Sequence, residues 1–385
     1  MYLLKLILRN SLRHKLRTIL TTLGIVIAVL AFGLLQTVVD AWYAGAEAAS
    51  STRLVTRNAI SLVFPLPINY ADRIRQVNGV KRISWANWFG GVYISERNFF
   101  PQLAVEPRSY LELFPEYVVD PDQLKAFLTD RKGCAVGRKL AQTYGWRLGD
   151  TVPLRGTIFP GNWEFVVRAI YGGREANTDE AQFFFHWDYL NETLRKTAPR
   201  RADSTGIYFV GIDDADRAAE IAAAIDSTFR NSLAETLTET EKAFQLGFVS
   251  MSESIVAAIR IVSFLVILII MAVMANTMAM AARERLSEYA TLKALGFRPA
   301  YLRRLIAGES VLIALTGGAI GIGLTFPAAQ AFSAKMGTLF PVFQVSAQTV
   351  GLQVVAAAVV GAVAAVAPSI RVSRVRIVDG LRAVA

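Results

Sequence analysis

Four long apolar stretches interrupt an otherwise polar chain: Ile19–Val39, Ile259–Ala281, Val311–Phe332 and Val350–Ile370. Each has about 20 residues, and a helix of that length crosses a hydrocarbon core of ~30 Å. Apart from Arg260 at the edge of the second, none contains Asp, Glu, Lys or Arg, so all four are read as membrane spans. The segment between the first and second has another rhythm, with short β-branched and aromatic runs cut by Gly and Pro and mixed with short helical patterns.

The pattern predicts an α-helical membrane protein with four transmembrane helices plus a mixed α/β extracytoplasmic domain on a helical stalk. The spans are 19–39, 259–281, 305–332 and 350–370. Residues 1–18 are expected as an amphipathic N-terminal helix and 40–258 as stalk helices and α/β domain. The loops are 282–304 and 333–349, and 371–385 is the tail.

Within the large domain, residues 40–57 read as a continuation of the first span. Ala59–Pro65 reads as a strand, Tyr70–Val77 as a helix, and Val80–Ile94 as two strands broken at Gly90-Gly91. Phe99–Val105 is a further strand and Ser109–Phe114 a short helix. Residues 120–173 alternate helices (Gln123–Leu128, Lys139–Tyr144) with strands (Thr151–Leu154, Gly156–Phe159, Glu164–Tyr171). Gly206–Gly211 is a strand, and Asp213, Asp214 and Asp216 then open a helix over Arg217–Phe229, where acids suit the positive end of the helix dipole. From Leu233 the chain reads as helix towards the second span. A strand–helix unit thus stands near each end, with a strand-rich insertion between.

The net charge of +10 changes this picture only through its placement. Residues 1–17 hold five basic and no acidic side chains, 283–304 six against two, and 371–385 four against one. Residues 41–250 hold 24 basic and 25 acidic side chains. The surplus flanks the spans, as the positive-inside rule expects of cytoplasmic segments. Both termini and 282–304 are therefore placed in the cytoplasm, and nucleic-acid binding is excluded for want of a basic patch elsewhere.

Candidate chemistry is sparse. Cys134 is the one cysteine and reads as a small packing residue, and no disulfide staples the domain. The two histidines, His14 and His186, fall on opposite sides of the membrane, and no metal-ligand or Ser/His/Asp set has suitable spacing. No Gly-Lys dipeptide occurs, hence no phosphate-binding loop. No cofactor is therefore expected on this chain, and if it works in an ATP-driven machine, ATP with Mg is handled by another chain. Gly317 and Gly321 mimic a dinucleotide fingerprint but lie inside a span, where they fit small-xxx-small helix packing. Asn276 and Thr277 read as interhelical hydrogen-bonding groups. No run holds an acidic residue and the single charge, Arg260, stands at the edge of one, which argues against a proton relay.

In 282–304, Leu286, Tyr289, Leu292 and Leu295 recur every three residues on a short helix over Glu284–Leu295. Glu284 and Glu288 stand one turn apart, Lys293 follows, Gly296 stops the helix and Pro299 can open the next. Physics alone leaves two readings: a membrane-surface helix, or a docking helix for a cytoplasmic partner.

The segment ARERLSEYATLKALGFRPAYLRRLIAGESVLIALTGGAIGIGL (282–324) resembles the signature region of MacB/FtsX/LolC-type ABC transporter permeases. LILRNSLRHKLRTILTTLGIVIAV (6–29) is similar to their first span, PSIRVSRVRIVDGLRAV (368–384) to their tail, and VGRKLAQTYGWRLGDTVPL (136–154) to part of a MacB-type periplasmic domain. The resemblance implies a dimeric inner-membrane permease, most simply a homodimer, whose periplasmic domain has a porter part and a sabre-like insertion at about 120–200. It implies a separate cytoplasmic ABC ATPase, itself dimeric, because this chain starts at the first span whereas MacB carries a fused ATPase. A periplasmic adaptor protein and an outer-membrane channel are further implied partners. Glu284, Leu286, Glu288, Tyr289, Leu292, Lys293, Leu295 and Gly296 become the expected ATPase-coupling residues, with Glu284 and Glu288 facing partner cations. The expected function is mechanical transmission for export or extraction of a lipid, lipoprotein, peptide or drug. The alternative is an FtsX-like regulator of a periplasmic cell-wall hydrolase. An external receptor or enzyme finds no supporting site chemistry.

Overall fold

The computed structural model describes residues 13, 15–175, 177–336, 340 and 342–374. Most of the expected helix over 1–18 and of the tail 371–385 lies outside the described residues. The chain divides into two compact units, one of residues 42–252 with 336–342, the other of the remaining segments.

Helix α1 (Lys15–Ala48) has 34 residues, about 50 Å at helical rise. In the α/β unit it is followed by β1 (Arg53–Asn58), β2 (Leu66–Pro67), α2 (Tyr70–Arg75), β3 (Val80–Trp88), β4 (Gly91–Val92), β5 (Gln102–Val105), α3 (Pro107–Leu113) and β6 (Tyr117–Val118). Next come α4 (Pro121–Thr129), β7 (Gly133–Gly137), α5 (Arg138–Tyr144), β8 (Thr151–Gly156), β9 (Gly161–Gly173), β10 (Phe183–His186) and α6 (Trp187–Thr197). The chain returns through β11 (Ser204–Thr205), β12 (Ile207–Ile212), α7 (Ala218–Thr228), β13 (Thr236–Thr240) and α8 (Glu241–Met251).

Eleven strands form one sheet in the order β13-β1-β12-β3-β5-β10-β7-β9-β8-β4, with β6 paired to β9. The inserted strands β7 to β10 extend the sheet of the flanking ones; the main seam is the parallel pair β5–β10, Gln102 to Val105 against Phe183 to His186, and the two-residue strands β4 and β6 add short pairings to β8 and β9. Alternation along β10 sends Phe183 and Phe185 to one core, with Phe89, Val136 and Phe165. Phe184 goes to the opposite face with Tyr110, Tyr171 and Phe209, as a strand's period of two requires. A third core, with Leu54, Ile83, Val210, Ile221 and Ile225, lies beneath α7.

The structure corrects four expectations here. The helix expected over 40–57 stops at Ala48, and residues 53–58 form β1 between β12 and β13. Its β-branched Thr56 shares a 2.9 Å hydrogen bond with the Thr238 hydroxyl across the ladder, which a helix would forfeit. Ala59–Pro65 is a turn rather than a strand. Ile60 N–H donates to Asn58 Oδ1 at 3.0 Å and Phe64 N–H to the Ser61 carbonyl at 3.2 Å, local bonds that replace a ladder. The helix expected from Leu233 begins only at Glu241, because Thr236–Thr240 pairs with β1 and the Thr240 hydroxyl then caps α8. Gly156–Phe159, also read as a strand, includes the turn joining β8 to β9.

The other unit packs α1 with α9 (Glu253–Glu284), α10 (Leu286–Ala294), α11 (Pro299–Met336) and α12 (Ala347–Arg374). All but α10 are long and apolar enough to cross a membrane. Its core holds Ile25, Val29, Met274, Met278, Ile306, Ala314, Val360 and Ala364.

Glycines set the helix approach. A Cβ on Gly317 would lie 2.9 Å from Ile25 Cβ, and one on Gly321 would lie 3.0 Å from the Val26 carbonyl, so both face α1. Gly318 meets Ala357 of α12 in the same way, at 2.6 Å. Gln353 is fully buried and donates through Nε2 to the Val29 carbonyl and the Thr325 hydroxyl, each at 2.9 Å. The space it fills lies over Gly33, where a Cβ would come within 2.0 Å of that nitrogen.

Candidate coupling site

Helix α10 is built to stop abruptly. Gly296 takes φ +89°, a left-handed conformation that costs glycine little. Gly296 N–H donates to the Lys293 carbonyl at 3.0 Å and Phe297 N–H to the Leu292 carbonyl at 3.1 Å. These are the two bonds of a Schellman cap. Pro299 then opens α11, where its missing N–H costs nothing.

The helix starts later than the sequence predicts. Helix α9 runs to Glu284, and Arg285 breaks the path with φ −104° and ψ 17°. Arg285 leaves the helical path as its guanidinium reaches Glu309 on α11, with Nη1 donating to Oε2 at 3.0 Å. Both side chains are sealed in, at 5% and 8% exposure. Tyr289 N–H donates to the Arg285 carbonyl at 3.1 Å, and the Tyr289 side chain, with Ala290, is buried in the bundle.

Three more ties hold α10 and the preceding turn. Lys293 Nζ donates to the Ser373 carbonyl of α12 at 2.8 Å. Arg17 of α1 pairs with Glu284, and Arg13, just ahead of α1, with Glu288. The expectation that the two acids are held out for partner cations is thereby revised, since each is neutralised within this chain. Those two pairs are solvent-exposed and contribute at most about 1 kcal/mol each.

The apolar stripe divides. Tyr289 and, in part, Leu292 pack inward, and Leu286 is half-buried. Leu295 is 71% exposed and Phe297 41%. Leu295 and Phe297 flank Gly296, with Phe297 also against Tyr301 at 5.1 Å between rings. They form an apolar tip on a capped, tied-down turn. Phe297 was not among the sequence-predicted residues; its signal is a large apolar side chain directly after the helix-stopping glycine. Glu309 was also missed, because it lies just outside the Val311–Phe332 run.

Asn276 is not brought to this site. It lies on the outward face of α9, and its neighbour Thr277 donates to the Val273 carbonyl of the same helix at 2.9 Å. Cys134 and His186 are buried in the α/β unit. Burial pushes the Cys134 thiol well above its ordinary range, which makes it a poor nucleophile.

Two family models match this chain. Residues 18–228 match the MacB-like periplasmic core domain, and residues 260–377 match the FtsX-like permease C-terminal region. Among solved structures, the extracellular domain of the ABC-type transporter YknZ from Gram-positive bacteria is 12% identical. It covers 49% of this chain and 100% of its own, with a TM-score of 0.34. The periplasmic region of MacB from Actinobacillus actinomycetemcomitans is 8% identical, over 52% of this chain and 94% of its own, with a TM-score of 0.37. A domain of a putative permease from Porphyromonas gingivalis is 14% identical, over 49% of this chain and 88% of its own, with a TM-score of 0.33. No curated protein matches. Membership rests on the family models, not on these distant structural likenesses.

Proposed function

We propose, for a chain that belongs to the MacB/FtsX-type family of ABC transporter permeases, that it works as the mechanical transmitter of an ATP-driven complex. A separate cytoplasmic ATPase, holding ATP and Mg, would dock at the α10 turn. Its closing and opening would displace the helix bundle and thereby the extracytoplasmic α/β domain. The work done there is export or extraction of a lipid, lipoprotein, peptide or drug from the outer leaflet or periplasm. The chain would act as a homodimer in the inner membrane with both termini cytoplasmic, and an adaptor protein would carry cargo onward.

One observation carries this reading. The α10 turn is bound to α1, α11 and α12, yet it presents Leu295 and Phe297 outward. A membrane-surface helix needs no such rigid backing. A docking turn does, because force applied at its tip must reach several helices together.

The test is capture of the partner ATPase by the detergent-solubilised chain, with hydrolysis measured in lipid. Leu295→Asp and Phe297→Asp change exposed positions and should leave the protein folded and inserted. Each should weaken ATPase capture at least tenfold, since burying an apolar anchor at an interface is worth about 2 kcal/mol or more. Wild-type capture and hydrolysis in both variants would reduce α10 to a surface helix.

A further inference from the structure

We propose that Arg53 is the joint through which displacement of the two connecting helices reaches the rest of the α/β domain. Within this unit the chain passes from α1 into β1 at Ser50–Arg53 and leaves through α8, which starts at Glu241. These two points are bound to each other through one carboxylate. Ser50 N–H donates to Glu241 Oε2 at 2.8 Å. Arg53 donates to the same carboxylate from Nε at 2.8 Å and from Nη2 at 3.1 Å.

The guanidinium also reaches away from the helices. Nη2 donates to Glu116 Oε1 at 2.7 Å and Nη1 to the Leu113 carbonyl at 2.6 Å. Its plane lies 3.8 Å over the Phe114 ring. Leu113, Phe114 and Glu116 connect α3 to β6, and β6 pairs with β9 of the inserted region through Tyr117–Gly173 and Val118–Gly172. One buried side chain, 4% exposed, thus ties the incoming chain, the outgoing helix and the route to the insertion.

Arginine suits this role because its planar fork serves several acceptors in fixed directions, which a lysine ammonium on a flexible stem does not. Burial opposes the charge, but the Glu241 and Glu116 carboxylates outweigh it and hold Arg53 above the ordinary guanidinium range. Arg53 is a positioning residue: it touches no cargo and acts by keeping the connecting helices and the insertion in register. The inference rests on the mechanical reading above for its purpose, but its geometry is testable without it.

The experiment places nitroxide pairs in the full chain in a Cys134→Ser background and measures distances by pulsed electron resonance. One pair, at Glu47 and Asp122, spans the joint; the other, at Asp122 and Glu164, lies within the inserted region. All three positions are exposed. In the nucleotide-free chain, Arg53→Lys should at least double the width of the Glu47–Asp122 distribution and leave the Asp122–Glu164 distribution unchanged. A general loosening would widen both and would refute a specific joint. An unchanged Glu47–Asp122 width would refute it equally. With the partner ATPase, Mg-ATP and vanadate, the Glu47–Asp122 distance should stay unchanged in the wild type and shift in Arg53→Lys. If that distance shows no nucleotide-linked change in Arg53→Lys either, the mechanical reading fails, while the nucleotide-free widths still decide the joint.

Discussion

Removing either member of the Arg285–Glu309 pair should damage the bundle more than removing both. Each side chain is less than a tenth exposed, and they meet at 3.0 Å. Deleting one partner strands a charge with little access to water, at a cost of about 3–5 kcal/mol. Replacing both with apolar side chains of similar length removes the stranded charge, so Arg285→Met/Glu309→Met should lie within about 1–2 kcal/mol of wild type or above it. The two single variants should not be equal. Glu309→Met strands a guanidinium that cannot shed its proton, whereas Arg285→Met strands a carboxyl that can take one up. Glu309→Met is therefore the worse of the two. The assay is unfolding of the detergent-solubilised chain in mixed micelles, followed by loss of helical circular dichroism, with the four proteins forming a double-mutant cycle. Additive single costs, or single costs within 0.5 kcal/mol of zero, about what an ordinary surface change produces, would refute the buried-pair reasoning.

Three further outcomes follow from other sites. Gly33→Ala should cost about 1–3 kcal/mol, since its Cβ would fall 2.0 Å from Gln353 Nε2 and dislodge two buried hydrogen bonds; Gln353→Ala should relieve most of that cost in the same unfolding assay. His186 is buried with its ring nitrogen 2.7 Å from the Phe127 carbonyl, and burial holds its pKa below the usual 6.5. The unfolded chain therefore binds more protons as pH falls past 6.5, so the α/β domain should lose stability on acidification through that window. Tryptophan-monitored melting should show this loss, and His186→Phe should reduce its slope. Finally, Ser61→Cys and Asp150→Cys in a Cys134→Ser background should react with an impermeant maleimide added outside, while Ser287→Cys should not; outside labelling of Ser287→Cys would overturn the topology.

The spans and the turn at Gly296 were legible in the sequence because each depends on local chemistry: unbroken apolar length, or a glycine followed by Pro299. The strands at Gly133–Gly137 and Phe183–His186 were not. Both are short and fully buried, so they lack the alternation that marks a half-exposed strand. Thr236–Thr240 and Arg53–Asn58 were read as helix because their strand character is conferred by each other, across nearly the whole length of the domain. At the coupling site, residue types and positions were visible, but pairing was not. Glu284 and Glu288 look like bait for a partner until Arg17 and Arg13 arrive from the other end of the chain. Arg53 and Glu241 likewise lie far apart in sequence and read as ordinary charges at an element's start.

The parallel seam between β5 and β10 limits how the insertion can be handled as a module. A graft that hangs from a domain by two loops can be excised and its stumps rejoined. Here, excision of residues 120–200 would take β10 from beside β5 and leave Gln102–Val105, all but Leu103 buried, as a raw sheet border. Unprotected borders of this kind recruit other chains edge to edge. A shortened version would therefore be expected to precipitate or pair with itself unless a substitute strand or a charged border were designed in. A soluble fragment meant for binding studies should instead retain the α/β domain whole, from Trp42 to Ser252.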